Sequence, residues 1–66
     1  LKAVGHVRDG VMQCSSMGGA PFSLGGNILR QSGGELIYAR VPVDGQPAGA
    51  LMAIQRDGFA ALSGLA

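Results

Sequence analysis

A mainly β or α+β fold, an antiparallel sheet of two hairpins, is what this sequence predicts, and three observations predict it. Asp9-Gly10 separates two strand-like runs, KAVGHVR and VMQCSS. A second pair of runs, LIYARVPV and AGALMAIQR, brackets Asp44-Gly45-Gln46-Pro47. Twelve glycines sit mainly between apolar runs and follow no G-X-Y period, which is the distribution of turns and not of collagen or a low-complexity tract.

The first hairpin follows from turn chemistry. Both central positions of a type I′ turn need positive φ, and Asp-Gly between alternating runs meets that need. The expected register sets Arg8 against Val11, Val7 against Met12, His6 against Gln13 and Gly5 against Cys14. Directly opposed residues share a side of the sheet. One side then carries Ala3, Gly5, Val7, Met12 and Cys14; the other carries Lys2, Val4, His6, Arg8, Val11, Gln13 and Ser15.

Residues 17–34 contain six glycines and Pro21, with little periodicity outside Asn27-Ile28-Leu29-Arg30, so they read as a long loop. In the second hairpin a four-residue connection sets Val43 against Ala48, Val41 against Ala50, Ala39 against Met52 and Ile37 against Ile54. That all-apolar side is expected to face inward. Tyr38, Arg40, Pro42, Gly49, Leu51, Ala53 and Gln55 form a mixed, partly exposed side, with Pro42 at an edge or bulge where its missing donor is not needed. Asp57-Gly58 marks a further turn, and Phe59 to Ala66 reads as a strand or a short helical turn.

The 66 residues allow one small domain, and the apolar share of 47% contains only three aromatics, Phe22, Tyr38 and Phe59. So light a core leans on an additional layer for stability. A formal net charge of +1 with scattered ions and no basic stripe argues against nucleic acid as a partner. No apolar run approaches the roughly 20 residues of a membrane-spanning helix. Leu1 opens straight into a strand pattern without signal-peptide anatomy or an initiator Met, which reads as an excised piece.

The segment AVGHVRDGVMQCSSMGG resembles the signature of the CSS-motif domain, the periplasmic sensor found upstream of EAL-type cyclic di-GMP phosphodiesterases. The likeness continues in order through most of the chain, as a strand, loop and strand ending in an aromatic-containing segment. It implies that residues 1–66 are a partial CSS-motif sensor domain with a PAS/PDC-like fold, and that missing segments supply a helical layer. It further implies a periplasmic domain of an inner-membrane protein, flanked by two transmembrane helices, with the EAL domain beyond the second. The chain itself would be regulatory and not an enzyme, without a cofactor.

In the family the motif cysteine pairs with another that lies N-terminal to it, and the state of that pair regulates the phosphodiesterase, the reduced form being the more active. Carried over, this applies to Cys14, whose partner would precede Leu1. Gly5, Ser15 and Ser16 would support the motif. The implied partners are the upstream cysteine-bearing segment, the transmembrane helices, the EAL domain and, as one option, a second copy in a homodimer. Gly5 opposite Cys14 would leave room above the sheet for the approaching sulfur, since a disulfide needs Cα atoms within about 7 Å.

Read without the resemblance, Cys14 also fits a small buried hydrophobe. A PAS-like small-ligand sensor is the alternative, with the apolar sheet face and the glycine-rich connector forming a pocket and Cys14 in the core. A purely structural interaction fragment is a third option. Ser15 and Ser16 lack a nucleophile elbow and suit backbone hydrogen bonding. His6, expected on the side away from Cys14, argues against a Cys–His couple, and one His with one Cys falls short of the four ligands of a structural zinc site. The glycine pairs lack the Lys-Ser/Thr of a phosphate loop and read as flexible connections. Met12, Met17 and Met52 read as gap fillers.

Overall fold

The computed structural model describes residues 2–45 and 49–64. Its strands are β1 (Ala3–Arg8), β2 (Val11–Ser15), β3 (Phe22–Ser23), β4 (Ile28–Ser32), β5 (Glu35–Tyr38), β6 (Leu51–Arg56) and β7 (Phe59–Gly64). They form one antiparallel sheet in the order β3-β2-β1-β7-β6-β5-β4. Mainly β is therefore the fold class, and no described residue is helical, so the expected helical layer has no counterpart among them.

Three two-residue turns set the hairpins. Asp9 and Gly10 have φ of 53° and 74°, Asp57 and Gly58 52° and 81°, and Gly33 and Gly34 57° and 81°. Positive φ at both central residues is the type I′ arrangement, whose twist matches that of the flanking strands. The turns at Asp9-Gly10 and Asp57-Gly58 are as the sequence predicts. Gly33-Gly34 is a correction: it is no flexible connection but the tight turn that sets Ser32 against Glu35. The predicted loop over 17–34 accordingly contains β3 and β4.

The Asp57-Gly58 turn sends β7 back as a strand that enters between β6 and β1, pairing Ala53 with Leu62 on one side and Ala3 with Leu62 on the other. The two hairpins are thereby joined into a single sheet. One buried cluster contains Val7 and Met12 from one half, Tyr38, Val41 and Leu51 from the other, and Ala60 and Leu62 between them. Residues so far apart along the sheet meet on one face only if the sheet curls around them. Strand twist and two β-bulges provide that curvature.

The second hairpin differs from expectation in two ways. Ile37 does pair with Ile54, but β5 ends at Tyr38. Arg40 takes φ of 53°, Ala39 N–H donates to the Asn27 carbonyl at 2.8 Å, and Val41 N–H donates to the Leu51 carbonyl at 3.0 Å. The kink at Arg40 replaces the expected Ala39–Met52 and Val41–Ala50 pairs; the Val43–Ala48 pair lies outside the described residues. Along the β5–β6 ladder the inward side is also reversed, whereas beyond the kink Val41 is buried and Val43 packs on the core as expected. Tyr38 is 4% exposed, and Leu51 and Ala53 are buried, whereas Ile54 is 38% exposed. The inner side wins because β7 brings Leu62 and Ala60 onto it, and because Tyr38 O–H donates to Gln55 Oε1 at 3.0 Å, giving the polar groups of that side a partner.

Candidate functional site

The β1–β2 ladder decides where the thiol lies. It begins as predicted, with Arg8 against Val11 and Val7 against Met12, and then shifts, so that His6 faces Cys14 and Gly5 faces Ser15. Gln13 is the extra residue of a bulge. A one-residue slip moves the following side chain to the other face. Cys14 is therefore exposed on the outer face, neither on the apolar inner side nor a core residue.

Gly5 has a different role from the one expected. A Cβ there would collide with the Cys14 carbonyl oxygen and crowd Met12 Sδ at 2.8 Å. The space over this glycine is taken by the bulged backbone of β2 and by a core methionine. An approaching sulfur must therefore reach Cys14 from the outer face, not over Gly5.

Both serine hydroxyls are committed to backbone. Ser16 Oγ accepts from Val4 N–H at 3.0 Å while Ser16 N–H donates to the Val4 carbonyl at 3.0 Å, continuing the ladder past the bulge. Ser15 Oγ accepts from Met17 N–H at 3.2 Å, and its carbonyl accepts from Gly18 N–H at 3.0 Å, turning the chain out of the strand. The Cys14 backbone is thus held on both sides, by the bulge before it and by these bonds after it.

Two rows cross the outer face. One runs Cys14–His6–Phe59–Arg56–Glu35 through β2, β1, β7, β6 and β5, and the other runs Val4–Ala61–Ile54–Ile37 through β1, β7, β6 and β5. Phe59 is 58% exposed, and Val4 and Ile54 are also exposed, so the second row with Phe59 forms an apolar stripe beside the thiol. Sequence reasoning missed this stripe. Its signal was the Asp57-Gly58 turn, which sets Phe59 opposite Arg56 and hence on the outer face.

His6 and Cys14 share this face, correcting the expectation that they lie on opposite sides. The imidazole leans the other way, however, meeting the Phe59 ring edge-on at a centroid distance of 5.4 Å and 77° between planes. No hydrogen bond joins His6 to Cys14 among the described residues. Nor do the described residues gather three or more His, Cys, Asp or Glu side chains that could hold a metal ion. A pocket of about 250 Å³ does form between the connector and the chain beyond β5, lined by Met17, Gly18, Gly19, Pro21, Phe22, Pro42, Val43 and Asp44. Compared with known proteins, the chain matches no family model, no curated protein and no solved structure.

Proposed function

We propose that this chain is a periplasmic redox-sensing regulatory fragment of a membrane-bound cyclic di-GMP phosphodiesterase, acting through Cys14. The observation that supports the reading is the exposed thiol, held on a strand beside the apolar stripe of Val4, Ile54 and Phe59. An apolar segment laid on that stripe would bring a second sulfur within reach of Cys14. Forming the bond converts two thiols to one disulfide, with two electrons and two protons passing to an external disulfide oxidant. The oxidising periplasm favours such a bond.

The disulfide would tie the second segment to the sheet, and reduction would free it and shift the population of domain arrangements that reach the phosphodiesterase across the membrane. The resemblance to CSS-motif sensors supplies the sign, the reduced state being the more active. The deciding measurement is cyclic di-GMP hydrolysis by the membrane-bound parent with and without reductant. The native parent should gain activity on reduction, and Cys14→Ser should be active and indifferent to it. A Cys14→Ser parent that still responds to reductant would rule out the thiol switch.

A further inference from the structure

The pocket between residues 17–22 and 42–44 uses neither the thiol nor the outer face. Met17, Phe22 and Val43 pack against the core cluster and make its floor, Pro21 and Pro42 contribute aliphatic walls, and Gly18 and Gly19, each with φ of 79°, bring bare backbone to the rim. Asp44 is the one ionisable side chain in the lining. None of Lys2, Arg8, Arg30, Arg40 and Arg56 lines the pocket, and Asp44 has no ion-pair partner among the described residues.

These features discriminate between ligand classes. An anion would meet a carboxylate with no cation to offset it. A neutral apolar molecule would bury part of the lining but draw nothing from that exposed carboxylate. A compact cation with an apolar envelope uses both parts, because its charge pairs with Asp44 while its alkyl groups contact the prolines, the methionine and Phe22. The volume is below the roughly 300 Å³ at which drug-sized sites begin, which restricts the ligand to a small one.

We infer that this pocket binds a small organic cation of the alkylammonium class, with Asp44 as the charge partner and Phe22 as the aromatic surface. The inference is independent of the redox reading, since no lining residue belongs to the outer face. Amide NMR titration of the chain with choline tests it, beside the carbon isostere in which a quaternary carbon replaces the nitrogen. Choline should give saturable shifts centred on Gly18, Gly19, Phe22, Val43 and Asp44, and the neutral isostere should bind about tenfold more weakly, the loss of roughly 1.4 kcal/mol expected when one such charge contact is removed.

Asp44→Asn should lower choline affinity by a similar factor while leaving amide shifts of the β1–β7 ladder in place. Phe22→Leu keeps an apolar floor and should also weaken choline more than the isostere. Cys14→Ser should leave the titration unchanged, which separates this site from the thiol. Equal affinity for choline and its isostere, an Asp44→Asn chain that binds as before, or the absence of saturable shifts at the lining would each overturn the inference.

Discussion

The inner and outer faces of this sheet have similar apolar side chains and opposite fates. Inside, Met12, Leu24, Leu51 and Leu62 are fully buried because the curl folds that face upon itself. Outside, Val4 and Ile54 lie in one cross-strand row and Phe59 in the next, spanning three strands, with no second layer over them among the described residues. Hydrophobicity alone does not choose the core; closure does. The face that gains β7's leucine and alanine on its concave side becomes the interior, and the other becomes a surface with a preference for company.

This contrast can be broken most forcefully from within. Leu62→Ala should cost about 2–5 kcal/mol, comparable with the entire stability of a domain this small, and urea unfolding should find the variant largely unfolded. Gly5→Ala comes next, at about 1–3 kcal/mol, because the new methyl must displace both the Cys14 carbonyl and the Met12 side chain. A Gly5→Ala chain of native stability would mean that the bulge at Gln13 is not formed as described. Tyr38→Phe should cost about 1 kcal/mol through loss of the bond to Gln55; an unchanged urea midpoint would show that solvent replaces the hydroxyl at no cost.

The outer face should respond weakly. Ile54→Thr keeps a β-branched shape on an exposed position and should change stability by no more than about 0.5 kcal/mol, so a loss as large as that of Leu62→Ala would show that the stripe is covered in solution. The smallest effect is expected at Cys14, where alkylation by iodoacetamide should proceed in the folded chain within about threefold of the rate in urea, as access governs thiol chemistry. Protection beyond about tenfold would return the thiol to the interior.

The turns were the most legible part of the fold, because positive φ at consecutive residues restricts composition and Asp9-Gly10 and Asp57-Gly58 meet that restriction openly. Gly33-Gly34 carried the same information but lay among other glycines, where repetition resembles slack. The second hairpin was legible in register and not in orientation. Ile37 and Ile54 on one side, and Tyr38, Leu51 and Ala53 on the other, are both apolar enough to face a core, and the arrival of β7 decides between them.

At the candidate site, the hairpin was readable and the side of the sheet was not. A bulge adds one residue of no particular type, and Gln13 leaves no mark that distinguishes it from an ordinary strand position. The visible sign was Gly5, a glycine within a strand, which signals a close backbone approach. Reading its missing side chain as room for an outside partner inverted the geometry, since the molecule fills that room itself and so turns Cys14 outward.

β7's position between β1 and β6 also governs the order of assembly. The strands on either side of it, β3-β2-β1 and β6-β5-β4, share no ladder of their own. Each can form by local pairing, but joining them requires the contact of Ala3 with Leu62, which spans nearly all the described chain. Closing so long a loop is slow, placing folding in the millisecond-to-second regime of proteins dominated by distant pairings. Until β7, already paired with β6 through the Asp57-Gly58 turn, reaches β1, the facing edges of β1 and β7 are unpaired, and during that interval the chain is most exposed to mispairing with its neighbours.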